Sequence, residues 1–190
     1  RLKEGLIELL KDKPASQVTV KELCDLVDIN RGTFYYHYTD VFDMLTKLEE
    51  DFFDEFYVII NEMKVTVSPD GYAAKILTKV FYFFNENAEL CKILLGPNGD
   101  IAFIQSIKKL VDEKCSDTWK KAGSHLTPNE YELFNSFIIN GYIGLLETWL
   151  KTGKKQSPEI MADFVAKIII PAAVNSLSLK NIPQNNFIQS

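Results

Sequence analysis

Residues 19–47 read TVKELCDLVDINRGTFYYHYTDVFDMLTK, and the spacing within this run sets the reading of the whole chain. Thr19 followed three positions later by Glu22 has the form of a capping box, which predicts a helix opening at Val20. Val20, Leu23, Leu26 and Val27 recur at helical spacing and give that helix an apolar face. Asp28-Ile29-Asn30 interrupts the pattern. Asn30 is a favourable N-cap, so a short second helix is expected over residues 31–38, with Thr39 capping a longer third one. Two helices joined by so short a connection must cross steeply, which is helix-turn-helix geometry.

The short helix has an outer surface suited to a duplex. Phe34 and Tyr38 share one side and can turn inward, which leaves Arg31, Thr33, Tyr35, Tyr36 and His37 at or near the surface. Arginine can read guanine edges, the threonine methyl suits thymine, and tyrosine and histidine can reach phosphate oxygens. Gly32 costs about 1 kcal/mol in helix propensity relative to alanine, and it removes a side chain where a backbone would approach DNA. The plain alternative is a surface helix of an unrelated all-helical protein. Capping, turn length and surface chemistry agree instead on DNA.

The run VTVKELCDLVDINRGTFYYHYTD, residues 18–40, resembles the DNA-binding domain of the TetR family of transcriptional regulators. The resemblance implies an N-terminal three-helix domain, a helical ligand-sensing C-terminal domain and a homodimer. It also puts Thr19, Asn30, Arg31, Gly32, Thr33, Tyr35, Tyr36 and His37 where family members touch double-stranded DNA, with Lys21 beside them. Thr39 and Val41 stand where relatives often carry lysine, so phosphate anchoring is expected to be weaker there or moved to Lys47. Further along, GPNG at 96–99 and GYIGLLETWLKTG at 141–153 resemble a branch of the same family whose members include a regulator of dihydroxyacetone metabolism.

The totals allow this reading and exclude others. The chain has 190 residues, 46% of them hydrophobic, enough for a substantial core. Its formal net charge is −5, and the first 45 residues are slightly more acidic than basic. That is a mild objection to DNA binding, because phosphate neutralisation dominates affinity. Distribution matters more than the total, so modest affinity with a strong salt dependence is expected. Cys24, Cys91 and Cys115 lie far apart in apolar patterns and suggest buried, reduced thiols in a cytoplasmic protein. His37 and His125 lack ligand-spaced partners, so no metal and no cofactor is expected. No apolar run reaches the ~18 residues a membrane span needs, and no signal peptide is seen. Nucleophile elbows, phosphate loops and ordered triads are absent from the sequence, so no catalytic residues are assigned. Arg1 falls inside a helical pattern where the resemblance implies a basic arm, so the natural start is expected upstream.

Along the chain, Leu2, Leu6, Leu9 and Leu10 mark a first helix stopped by Pro14. A long helix from Asp40 should bury Phe42, Leu45, Leu48, Phe52, Phe56 and Ile59 or Ile60, linking the two halves. Ser68-Pro69-Asp70-Gly71 reads as a turn, followed by helices over 72–87 and 88–95. Asp100 should cap the next helix and Gly123 close it. Thr127-Pro128-Asn129-Glu130 is a second capping box, opening a helix that is apolar nearly all round and ends at Gly153. The last helix starts at Ser157-Pro158-Glu159, with an interruption expected at Pro171. The expected fold is all-α with nine helices: a DNA-binding domain at 1–46, a regulatory and dimerisation domain at 47–180, and a flexible tail at 181–190.

Two further sites are expected in the C-terminal half. Phe81, Phe84, Phe103, Trp119, Phe134 and Phe137 could line a cavity for a small hydrophobic or aromatic effector, or simply fill the core. Gly141, Gly144, Leu145, Trp149, Phe164 and Ile168 suit a four-helix dimer interface. The function expected is a ligand-responsive transcriptional regulator, by resemblance a repressor, binding a pseudo-palindromic operator as a homodimer. Two other readings remain open at this point: a regulator that senses a partner protein, and an enzyme on an all-helical scaffold.

Overall fold

A computed structural model describes the backbone of residues 1–62, 72–96, 101–121 and 127–178, and the side chains of 1–62, 75–96, 101–114 and 127–168. Among these residues the chain forms nine α-helices, one 3₁₀ turn and no strand. The helices are α1 (Leu2–Leu10), α2 (Val20–Val27), α3 (Arg31–His37), α4 (Val41–Asn61), α5 (Tyr72–Glu86), α6 (Ala88–Leu94), α7 (Ile101–Lys121), α8 (Pro128–Lys151) and α9 (Pro158–Ser178). The turn at Ser68–Gly71, the Asp100 cap, the Gly123 stop, the side chains of Cys115 and Trp119, and the tail all lie outside the described residues.

Local chemistry sets most helix ends. The Thr19 hydroxyl accepts from the Glu22 amide at 3.2 Å and opens α2, while the Glu22 carboxylate turns to Lys13 instead of closing the box. At α8 both bonds of the capping box form: Glu130 N–H to Thr127 Oγ1 at 3.3 Å and Thr127 N–H to Glu130 Oε2 at 2.8 Å. That helix ends where Gly153 turns left-handed at φ 83, and the Lys154 amide reaches back to the Trp149 carbonyl at 2.9 Å. Two expectations change. Asp40, not Thr39, caps α4, because the Asp40 carboxylate takes the Asp43 amide at 2.8 Å. Helix α9 runs on through Pro171 to Ser178 without interruption.

Two apolar clusters meet along α4. The first gathers Leu6, Leu10, Val18, Leu23, Cys24, Phe34, Val41, Met44 and Leu48, and joins α1, α2, α3 and the start of α4. The second begins at Phe52 and takes in residues of α5 to α9. The inward stripe of α4 is Val41, Met44, Leu48, Phe52, Phe56 and Ile60, so Phe42, expected inside, is 55% exposed. Leu26, expected on the inner face of α2, is also exposed. Leu45 and Ile7 pack on the second cluster, and Ile93 of α6 packs on the first, so the two halves interlock. Lys11 of α1 pairs with Glu89 of α6 at 3.3 Å across the same boundary, and Lys3 of α1 pairs with Asp51 of α4.

Candidate nucleic-acid interface

Phe34 is the one buried side chain of α3. Phe34 is 0% exposed, its ring meeting Tyr35 edge-on at 5.5 Å and Tyr38 at 5.6 Å. Arg31, Thr33, Tyr35, Tyr36 and His37 are all exposed, Tyr36 by 85%. The Tyr36 and His37 rings lie edge to face at 4.9 Å, forming one exposed aromatic ridge on the last turn. A solvent-facing ridge of this kind gains nothing from burial in the isolated chain.

The turn before α3 is built by backbone geometry. Asp28 takes the left-handed conformation at φ 53, and the Asp28 and Ile29 amides both return to the Cys24 carbonyl. Asn30 then caps α3 by accepting from the Gly32 amide at 2.7 Å. A methyl group on Gly32 would approach Asn30 Oδ1 to 3.2 Å, so the glycine leaves room for its own cap as well as for an incoming surface. Behind the turn, burial pushes the Cys24 thiol up, and the nearby Arg31 charge opposes that shift.

All ten residues expected at DNA are exposed: Thr19, Lys21, Asn30, Arg31, Gly32, Thr33, Tyr35, Tyr36, His37 and Lys47. Lys21 and Arg31 are in no ion pair among the described residues, so both charges are available. Lys47, the expected phosphate anchor, is committed within the protein. It donates to the His37 carbonyl at 3.1 Å and to Asp43 Oδ2 at 3.1 Å. Sequence reading missed this role, although the Asp43–Lys47 spacing of four was a usable signal.

Five of the six residues expected at a ligand pocket have described side chains, and among these the burial differs. Phe81, Phe84 and Phe103 are buried among other rings, with Phe84 5.9 Å and Phe103 5.2 Å from Phe52. Phe134 is half-buried and Phe137 is 75% exposed. The described side chains enclose a different cleft of about 430 Å³ at the junction of α1, α4, α5 and α6, lined by Lys3, Asp51, Glu55, Asn85, Glu89 and Lys154 among others.

The expected dimer surface divides. Gly141 and Gly144 lie open, with nothing within 4 Å of an added Cβ, and Phe164 and Ile168 are half-exposed or more. Leu145 packs partly on the core. Trp149 does not belong to the surface: it is 2% exposed, edge-on to Phe81 at 5.5 Å, and its Nε1–H donates to the Gln156 carbonyl at 3.0 Å. Leu133, Phe137 and Ile160 are also exposed on the same two helices. Among the described residues no group of His, Cys, Asp or Glu could hold a metal, and no helix is long and apolar enough to cross a membrane.

Comparison with known proteins agrees with this architecture. Residues 72–171, more than half of the chain, match the TetR_C_8 family, the C-terminal region of transcriptional regulators. An uncharacterized HTH-type transcriptional regulator of Bacillus subtilis (strain 168), YxbF, is 21% identical over 181 residues. That match covers 89% of this chain and 44% of the relative, so the chain spans a little under half the length of that protein. The dihydroxyacetone kinase operon activator DhaS superposes with a TM-score of 0.62 at 16% identity, over 92% of this chain and 95% of that one. The FadR regulator of Bacillus subtilis, solved in complex with stearoyl-CoA, gives 0.65 at 15% identity, over 89% and 96%. At these identities the solved structures establish a shared fold. With the matched region and the helix-turn-helix together, the chain belongs to the TetR family of transcriptional regulators.

Proposed function

We propose that the chain is a cytoplasmic transcriptional regulator that binds a pseudo-palindromic operator as a homodimer. The observation that carries this reading is α3, whose one buried side chain is Phe34 while Arg31, Thr33, Tyr35, Tyr36 and His37 stand exposed. Two copies of α3 would enter successive major grooves about 34–36 Å apart. Pairing would use the uncovered strip of Leu133, Phe137, Gly141 and Gly144 on α8 with Ile160, Phe164 and Ile168 on α9. Glycines there permit close helix approach, and two helices from each copy make a four-helix bundle. Repression is the simplest consequence of a dimer seated over a promoter.

An effector would act by binding the DNA-competent and DNA-incompetent arrangements with different affinity. The solved FadR structure carries stearoyl-CoA, a long acyl chain on a charged carrier, which supports an effector with a hydrophobic part here. The packed rings of Phe52, Phe56, Phe83, Phe84 and Phe103 support a second reading, a C-terminal half that answers to a partner protein.

Salt titration of operator binding tests the interface. With Lys47 committed internally, the face offers Lys21 and Arg31 from each protomer, and four such cations give a slope of about −3.6 in log K against log salt. A slope near −8 would mean that another basic surface carries the binding.

A further inference from the structure

The lysine expected to hold phosphate does something else. Its Nζ donates to the carbonyl of His37, the last residue of α3, and to Asp43 Oδ2, each at 3.1 Å. The same ammonium lies 5.2 Å from the centre of the Tyr38 ring. Two of its three donors are therefore in use, and its charge is shared between a carboxylate and a ring face. Asp43 extends the connection: Oδ2 also accepts from the Thr39 amide at 2.8 Å, and its own amide donates to Asp40 at 2.8 Å. The contacts span the end of α3, the connecting residues 38–40 and the start of α4.

We propose that Lys47 is a positioning residue for DNA recognition, clamping the C-terminal end of α3 to α4 through the His37 carbonyl and Asp43. The role rests on the reading of α3 as the DNA-contacting helix. A helix of seven residues is too short to hold its own geometry, and its last carbonyls have no intrahelical partners. A cation at that end satisfies one carbonyl and complements the helix dipole. Thr33, Tyr35, Tyr36 and His37 contribute no fixed charge, so their use depends on where the helix holds them. The clamp sets that position, and it ties α3 to the long helix that enters the C-terminal core.

The alternative role, a phosphate contact, makes opposite forecasts, and Lys47→Met, Lys47→Arg and Asp43→Asn in the full chain separate the two. Hydrogen exchange in the free protein is read first, at the Tyr38 amide that bonds to Phe34 and at its neighbours in α3. With the clamp, Lys47→Met and Asp43→Asn each speed that exchange by about 3- to 10-fold, and Lys47→Arg restores much of the protection. Unchanged exchange in both variants overturns the proposal, whatever happens with DNA. Binding to a selected duplex is read second. With the clamp, both variants weaken binding by similar factors, the double variant is no worse than either, and the salt slope stays put. If Asp43→Asn tightens binding while Lys47→Met lowers the slope by about 1 per protomer, Lys47 is a phosphate contact and the proposal is wrong. Failure of the wild-type protein to bind any duplex would remove the DNA reading, while the exchange data alone would still decide the clamp.

Discussion

A methyl group placed on Gly5 would fall 2.3 Å from Val27 Cγ1, so α1 and α2 meet at a distance only glycine allows. Leu23 Cδ1, at 3.0 Å from the same point, closes the other side. Gly5→Ala gains about 1 kcal/mol of helix propensity but forces a stiff β-branched neighbour to shift, at about 1–3 kcal/mol. The expected result is a net loss of up to about 2 kcal/mol in urea unfolding. In a Val27→Ala background the same change should become neutral or stabilising. Additive effects of the two substitutions would show that the contact does not matter.

The two aromatics of α8 should separate folding from pairing. Phe137 is exposed, and Phe137→Asp should leave thermal unfolding of the protomer nearly unchanged while shifting sedimentation toward the monomer. Trp149 is buried against Phe81, so Trp149→Ala should destabilise by about 3–5 kcal/mol, seen as a lower denaturant midpoint. A Phe137→Asp protein that still sediments as a dimer would put the interface elsewhere.

Cys91 should set part of the alkaline limit of stability. Its thiol is buried, which pushes its pKa from 9.0 up to about 12. Above pH 9 the unfolded chain loses this proton while the folded chain keeps it. The associated stability is therefore full below pH 9 and lost as pH rises toward 12, on the order of a few kcal/mol in all. Cys91→Ala should give a shallower decline over that window in denaturant melts. In the native protein near neutral pH, Cys91 should resist a thiol reagent that labels it at once when unfolded.

The parts of the fold that were legible in the sequence rest on local chemistry. Asn30 as the α3 cap, Thr127 with Glu130 at α8 and the turn at Gly153 each need only neighbours within a few residues. What stayed hidden depends on tertiary choice. Residues 41, 42, 44 and 45 of α4 are all apolar, so spacing alone could not say that Val41 and Met44 turn inward and Phe42 outward. On α8, apolar nearly all round, nothing local distinguishes Trp149, which faces its own core, from Phe137, which does not. Aromatic spacing likewise could not tell a lined cavity from a packed cluster around Phe52. Lys47 was read as a free charge because its partners, the His37 carbonyl and the Tyr38 ring, lie across the α3–α4 corner.

The central claim is that paired copies of α3 read DNA, and selection of bound duplex from a random pool tests it most directly. The expected product is an inverted repeat with half-sites one helical turn apart, or a multiple of that spacing. Repeating the selection with Arg31→Ala should relax preference at one position per half-site, a loss of about 1–3 kcal/mol of discrimination. Recovery of no enriched sequence, or of a motif without two-fold symmetry that Arg31→Ala leaves unchanged, would contradict it.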